Sequence, residues 1–359
     1  MDPITLLSSV LALVYIGLVI FLANQDEVDR RARVEEKRGR QRQTVARWML
    51  YGLVATTLVL ALFILQAAVL TASAGAMPEL EIELPPIEVG AAALNFGLAL
   101  ALGVVSLRLI TSEGTRRWVA RLTGPGSLYD PQSGVHVAAM VLSLSFISIL
   151  FSQLVSSGGL SGLAEDVSAA GIPLSLLLVQ AVVVTLAALL GVGLSIRRDV
   201  GGSLARLGLR VPTAGDVIGG VIVGIGLYGV AIALFTVWSA IAPAEQIAEQ
   251  SAASEAIAGA FNTLPAAFAL AALAAVSEEI LFRGALQPVF GIGLTSALFA
   301  LFHNQYALTP ATLIILAVAV GLGILRQRQS TTAAIIAHFV YNFVQLALAI
   351  LAAQMLGGG

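Results

Sequence analysis

The chain has 359 residues, of which 58% are hydrophobic and only 11% are charged, and its mean hydropathy is +0.93. Soluble domains carry about 25% charged residues, so this composition excludes a soluble globular protein and indicates a polytopic membrane protein. The absence of cysteine excludes disulfides, a thiolate nucleophile and a cysteine-ligated metal. We interpret the excess of arginine over lysine as genome composition, and we predict no nucleic-acid partner.

Apolar runs follow one another along the whole chain, and a helix needs about 20 apolar residues to cross a bilayer. The runs at 291–304 and 310–325 are short, as is typical of helices that line a cavity. We predict an all-α fold, a polytopic transmembrane helix bundle with about ten spans. These spans cover residues 4–24, 49–73, 90–111, 137–158, 172–195, 215–241, 262–287, 291–304, 310–325 and 332–355.

The charges of the loops between these runs predict the orientation of the chain. By the positive-inside rule, loops rich in Lys and Arg are cytoplasmic, which places both termini outside the cell membrane. A charged cytoplasmic loop is expected at 25–47. The basic clusters are 30–47, 108–121, 197–210 and 326–328, and the loops without Lys or Arg are 74–89, 159–171 and 243–261.

Three charged residues, Glu278, Glu279 and Arg283, lie within one apolar run near the C-terminus. A charge in hydrocarbon costs several kcal/mol, so each is a functional hypothesis. On a helix Glu279 and Arg283 share a face and favour an ion pair, whereas Glu278 lies about 100° to one side. An unpaired buried carboxylate suits a general base, although a purely structural ion pair between helices is the alternative.

Two of the three histidines lie in the apolar runs that follow. His303 ends one run, with Phe299 one turn earlier, and His338 and Asn342 are four residues apart in another. Because buried polar groups must satisfy one another, we expect these side chains to converge with the charged triplet. Their positions in the predicted helices place the cavity toward the cytoplasmic leaflet. A glutamate and a histidine can activate water, and a second histidine with an asparagine can stabilise an oxyanion.

Three motifs occur in order, and together they resemble those of the CPBP family, which comprises CAAX prenyl proteases and bacteriocin-processing enzymes and is also called Abi. They are EExxxR from Glu278 to Arg283, FxxxH from Phe299 to His303 and HxxxN from His338 to Asn342. The words FRG at Phe282 and LGLR at Leu207 to Arg210 are also similar to bacterial members. The resemblance suggests N-terminal transmembrane helices of unknown role at 1–200, including the charged loop, and a CPBP-like intramembrane protease domain at 201–359.

The resemblance implies a multi-pass intramembrane endopeptidase of the glutamic type without a cofactor. Carried over by motif, the catalytic residues are Glu278, Glu279, Arg283, His303, His338 and Asn342. The first glutamate and the first histidine would activate the attacking water. The second histidine and the asparagine would form the oxyanion site, and the second glutamate and the arginine would orient the first glutamate.

A metal site is an alternative, because the family was long described as metalloproteases. Zinc held by His303, His338 and Glu278 is possible on ligand type, although the sequence contains no HExxH. Two functions from other classes also stay open. One is a non-catalytic membrane scaffold or immunity factor, and the other is a proton-coupled transporter, because intramembrane Glu and His also relay protons.

The expected partners are membrane lipid and a membrane-anchored peptide or protein substrate. The composition is typical of bacteria, where prenylation is not expected, so leader peptides or bacteriocin precursors are the broad substrate class. The sequence indicates neither the individual substrate nor the oligomeric state.

Overall fold

The structure is a computed structural model that describes residues 3–32, 37–74, 87–306 and 309–357. Every element in these ranges is a helix, which confirms the predicted all-α fold. A π-helix (Ile280–Leu286) joins two of the α-helices, and a 3₁₀ turn (Asn304–Tyr306) precedes the last two. The α-helices are α1 (Pro3–Arg31), α2 (Lys37–Ala74), α3 (Val89–Thr111), α4 (Glu113–Leu122), α5 (Gly134–Ser156), α6 (Gly159–Ala170), α7 (Leu174–Val192), α8 (Val200–Leu207), α9 (Ala214–Ser239), α10 (Ala244–Gly259), α11 (Leu264–Glu279), α12 (Gln287–Phe302), α13 (Ala311–Arg328) and α14 (Thr331–Gly357).

Eight helical segments of the described residues are long and apolar enough to cross a membrane, which supports a multi-pass membrane protein. The sequence predicted about ten spans, and two features account for the difference. The predicted runs 262–287 and 291–304 form one continuous helical segment, Leu264–Phe302. The first predicted run, 4–24, lies in α1, which is not among the eight.

The segment Leu264–Phe302 has 39 residues and would be about 58 Å long as a straight helix, whereas the hydrocarbon layer of a membrane is about 30 Å thick. The segment is bent instead. The bend lies at Gly291, whose φ of 72° is left-handed. A Cβ atom there would also lie 2.2 Å from the carbonyl oxygen of Thr123. Beyond the bend α12 returns beside the π-helix, and the ring centroids of Phe299 and Phe282 are 5.0 Å apart.

The charged segment 25–47, which the sequence predicted as a cytoplasmic loop, is largely helical in its described part, because α1 and α2 extend into it. Asp26 and Glu27 are 8% and 2% exposed. Glu27 pairs with Arg30 at 2.8 Å, and Arg30 also contacts Asp130, which precedes α5, at 2.6 Å. These contacts fasten α1 to α5. Residues 33–36, and most of the predicted acidic loop 74–89, lie outside the described residues.

The largest hydrophobic cluster draws residues from both halves of the chain. Val141 and Ile147 of α5 belong to the same cluster as Phe282, Phe290 and Phe299. In addition, α7 packs against α11 and the π-helix. The N-terminal helices therefore pack directly against the C-terminal helices. The domain boundary near residue 200 stays a prediction.

Candidate active site

The two glutamates of the first motif end α11, and their side chains have different surroundings. Glu279 is fully buried, whereas 28% of the Glu278 side chain is exposed. The π-helix begins at the next residue, Ile280, where the sequence predicted a regular α-helix. Such wide helical turns are frequent at functional sites.

A buried network of charged and polar groups is centred on Glu279. Its Oε1 atom accepts hydrogen bonds from Nη1 of Arg283 at 2.9 Å and from Nδ1 of His338 at 2.8 Å. Arg283 is 1% exposed, and its Nη2 atom donates to the carbonyl oxygen of Ala319 in α13 at 3.1 Å. The predicted ion pair between Glu279 and Arg283 is therefore present, and it connects α11, the π-helix, α13 and α14.

The proton positions on the two histidines follow from their partners. Nδ1 of His303 lies 2.8 Å from the carbonyl oxygen of Phe299, and Nδ1 of His338 faces the carboxylate of Glu279. A carbonyl and a carboxylate only accept hydrogen bonds, so we assign a proton to Nδ1 of both rings. In the neutral rings Nε2 is then an acceptor, and it becomes a donor only in the imidazolium form.

Glu278 and His303 face each other across a short gap. Oε2 of Glu278 lies 3.7 Å from Nε2 of His303, which is too long for a direct hydrogen bond. Among the described residues, no group forms a hydrogen bond with this buried Oε2 atom. One water molecule can hydrogen bond to two groups at such a separation. The pair therefore has the geometry to hold and polarise a water.

Phe299 connects residues of all three motifs. The guanidinium carbon of Arg283 lies 4.3 Å from the centroid of the Phe299 ring, a cation–π contact. The same ring lies 4.5 Å from the imidazole of His303 and 5.9 Å from that of His338, measured between centroids. The sequence placed Phe299 on the face of His303 but gave it no role.

The structure links five of the six predicted site residues through direct contacts. Five of them, Glu278, Glu279, Arg283, His303 and His338, are linked by hydrogen bonds, ion pairs or contacts with the Phe299 ring. Asn342 is partly buried and lies one turn after His338 on α14. This helical spacing puts it near the other five residues.

The turn that follows His303 is held by helices outside the motif core, which the sequence did not predict. Nδ2 of Asn304 donates to the carbonyl oxygen of Leu150 in α5 at 2.9 Å. Nε2 of Gln250 in α10 donates to the carbonyl oxygen of Gln305 at 3.2 Å. The only sequence signal was a pair of polar residues at the end of an apolar run.

Tyr306 is a second residue that the sequence did not indicate. Its ring stacks on that of His303, with centroids 6.3 Å apart and planes 27° apart. It lies between the membrane segments Leu264–Phe302 and Ala311–Arg328. Burial and, to a smaller extent, the negative charge of Glu278 raise the pKa of Tyr306 to about 12. The phenol is therefore protonated at neutral pH.

Hydrogen bonds and an ion pair of the LGLR residues connect the end of α8 to the start of α14. The carbonyl oxygen of Leu207 accepts a hydrogen bond from Oγ1 of Thr331 at 2.6 Å. Arg210 pairs with Asp216 at 2.8 Å, and Ser330 donates to the same carboxylate at 2.7 Å. These contacts position α14, which carries the third motif.

The candidate site contains residue types that bind zinc, but the described residues do not form a complete set of zinc ligands. Nε2 of His303 and Nε2 of His338 are acceptors in the neutral rings, as metal ligands must be. In the part of the chain that the structure describes, no group of three or more His, Asp or Glu side chains is arranged to hold a metal ion. A chelation experiment therefore tests whether the activity depends on a metal.

A comparison with protein families identifies a match in the C-terminal part of the chain. Residues 260–344 match the model of the family described as type II CAAX prenyl endopeptidase Rce1-like, and this range contains all three motifs. No curated protein and no solved structure matched the chain. The segment 260–344 of this multi-pass membrane protein is therefore similar to membrane endopeptidases of the CAAX-protease type, which confirms the resemblance to the CPBP family.

Proposed function

We propose that the protein is an intramembrane endopeptidase that hydrolyses peptide bonds of membrane-associated peptides or proteins. The observation that carries the proposal is the 3.7 Å separation between Oε2 of Glu278 and Nε2 of His303. The two side chains are 28% and 20% exposed whereas the neighbouring Glu279 is enclosed, which favours Glu278 over Glu279 as the carboxylate that a substrate would reach. A carboxylate and an imidazole in this arrangement are suited to activate water.

In the proposed reaction the water between Glu278 and His303 attacks the carbonyl carbon of the peptide. The new oxygen–carbon bond forms while the carbonyl electron pair moves onto its oxygen. Glu278 takes the proton that the water loses. When the carbon–nitrogen bond breaks, the protonated Glu278 returns this proton to the leaving amine. No side chain of the protein becomes covalently attached to the substrate.

Glu279 is less suited to be the base, because its Oε1 atom already accepts hydrogen bonds from Arg283 and His338. In the imidazolium form of His338, Nε2–H would donate to the oxyanion of the tetrahedral intermediate. Asn342, one turn further along α14, would supply an amide donor on the same side. Arg283 would fix Glu279 in place.

The site would face the cytoplasmic leaflet of the cell membrane. His338 lies about 10 Å along α14 from its start, and its partner Glu279 lies about 22 Å along α11 from its start. The start of α14 follows the basic residues of α13, whereas α11 follows the helix α10, which is acidic and contains no Lys or Arg. The positive-inside rule then places the catalytic groups about one third of the bilayer depth from the cytoplasmic side.

The substrate class that fits this position is a peptide or protein tethered to the membrane, reached from the cytoplasm or from the inner leaflet. Membrane lipid surrounds the helices, and the chemistry of the proposed residues needs no cofactor. For a bacterial protein of this type, leader peptides and bacteriocin precursors are the expected substrates. Zinc at the same residues is the alternative that the chelation experiment below addresses.

Comparative membrane peptidomics tests the proposal. Cells with the natural chain are compared with cells that carry Glu278→Gln, at matched protein levels. The exposed Glu255 of α10 supplies the control variant Glu255→Gln. We expect defined cleavage fragments to disappear, and a membrane-anchored precursor to accumulate, only with Glu278→Gln. Identical profiles for all three proteins would reject proteolysis in favour of the scaffold or transporter, and a proton-flux assay would then separate those two.

A further inference from the structure

Hydrogen-bond donors at the candidate active site are scarce. An oxyanion is stabilised by donors about 2.7–3.1 Å from the position its oxygen will occupy. The Nδ1–H groups of His303 and His338 already donate to Phe299 and Glu279. The Nη1 and Nη2 groups of Arg283 donate to Glu279 and to the carbonyl oxygen of Ala319. When both histidines are neutral, the amide of Asn342 is therefore the one donor that the six predicted residues would offer to the oxyanion.

Tyr306 provides a neutral hydrogen-bond donor next to His303. Its ring lies nearly parallel to that of His303, with the centroids 6.3 Å apart. Tyr306 also packs against the cluster of Trp238, Ala311 and Ile314, which restrains its ring. Its hydroxyl forms no hydrogen bond with the described residues. A rigidly held phenol beside the water-activating pair, with no hydrogen-bond partner for its O–H in the described part of the chain, is an available donor.

We propose that Tyr306 is a further catalytic residue, whose hydroxyl donates a hydrogen bond to the oxyanion that forms beside Glu278 and His303. The inference rests on the proposed function, because it assigns a donor for that reaction. The hydroxyl keeps its proton throughout, so no bond to hydrogen breaks at Tyr306. The negative charge on the substrate oxygen grows during the attack of water, and the hydrogen bond strengthens with it.

The protonation state of Tyr306 agrees with this role. Burial and the charge of Glu278 keep the pKa of the phenol near 12, so the O–H donor is present over the whole range in which the enzyme would work. The carboxylate and the phenol have complementary tasks, since one accepts the proton of the water and the other donates to the carbonyl oxygen. Neither task requires His338 to be protonated.

The test compares Tyr306→Phe with the natural chain in liposomes. The substrate is a quenched-fluorescent peptide that carries the cleavage sequence found by peptidomics. The variant keeps the ring and its packing but removes the hydroxyl, so we expect kcat to fall about 10²–10³-fold with little change in KM. Tyr228→Phe is the matched control, because Tyr228 contacts the ring of Tyr341 and is expected to keep natural kcat.

A second variant keeps the inference testable if Tyr306→Phe folds poorly. A fluorinated tyrosine at position 306 retains the shape and the hydroxyl but makes the phenol more acidic. We expect it to add an alkaline loss of activity at a pH where the natural chain is still active, which a structural role would not produce. Natural kcat for Tyr306→Phe, with Glu278→Gln inactive, overturns this inference and leaves the proposed function standing. Equal cleavage by the natural chain and Glu278→Gln overturns both.

Discussion

Nδ1 of His338 lies 2.8 Å from Oε1 of Glu279, the same oxygen that accepts a hydrogen bond from Arg283. One carboxylate oxygen thus joins two of the three sequence motifs inside the membrane. The other glutamate of the motif, Glu278, lies beside His303 and is partly exposed. Two adjacent glutamates therefore have separate tasks, one in holding the site together and one in the proposed chemistry.

Replacement of each glutamate should separate these tasks. Glu279→Ala leaves the fully buried Arg283 without its partner charge, and we expect the free energy of unfolding to fall by about 3–5 kcal/mol. Glu278→Ala removes a partly exposed side chain whose Oε2 forms no hydrogen bond with the described residues, so stability should change by less than about 1 kcal/mol while cleavage is lost. Denaturation in detergent measures the first effect and the peptidase assay the second. Equal destabilisation by both variants would contradict the assignment.

Phe299→Leu should weaken the attachment of α12 to the charge network. The variant loses the cation–π contact with Arg283, which is worth about 2 kcal/mol in a desolvated place. We expect a lower unfolding midpoint and reduced cleavage, because the same ring packs against both histidines. Phe302→Leu is the control. It loses aromatic contacts with Phe282 and Phe146, each worth about 1 kcal/mol, and it has no cation–π contact among the described residues, so its rate should stay close to natural.

The bend at Gly291 brings His303 back to the level of Glu278, and only glycine fits there. Gly291→Ala must adopt a φ of 72° and place its Cβ atom 2.2 Å from the carbonyl oxygen of Thr123. We expect a loss of more than about 2 kcal/mol in stability and little cleavage activity. Two positions further along, a Cβ atom at Gly293 would meet nothing within 4 Å. Gly293→Ala should therefore be neutral or slightly stabilising, and similar yields of both folded variants would argue against the role of the bend.

Chelation should leave activity unchanged. The proposed mechanism uses Glu278 and His303 to activate water directly, so dialysis against a zinc chelator should not alter kcat. The measurement is cleavage before and after chelation, with bound metal counted by mass spectrometry. A loss of activity that added zinc restores would instead favour the alternative in which His303, His338 and Glu278 bind the metal.

The helical fold and the composition of the site were predictable from the sequence. Charged residues in an apolar run have few stable arrangements, so the spacing of Glu279 and Arg283 was enough to predict their pairing. The π-helix was not predictable, because a run such as Ile280 to Leu286 is compatible with a regular α-helix. Contacts made by the wide turn, such as that of Gly284 with Leu207, depend on a partner distant in the sequence.

Roles that depend on tertiary contacts were missed for the same reason. The sequence suggested an oxyanion role for His338 but could not reveal that its Nδ1 atom is used by Glu279. Tyr306 stands in a short connection between apolar runs, where an aromatic residue is unremarkable in sequence. Only the stacking on His303 identifies it. Partner atoms, rather than residue types, determine which protons are available at this site.

The attachment of the turn after His303 to α5 gives the N-terminal helices a testable role in positioning. Asn304→Ala removes the hydrogen bond to the carbonyl oxygen of Leu150, and a shift of His303 by about 1 Å can cost 10²-fold in rate. We expect kcat to fall at least about tenfold while the protein stays folded. Asn95→Ala is the matched control. Asn95 of α3 donates a hydrogen bond to Ser152 of the same helix α5, and it forms no hydrogen bond with the described residues of the turn. If both variants cleave at the natural rate, α5 supports the fold without positioning the histidine, and the placement of His303 depends on α12 and the bend at Gly291.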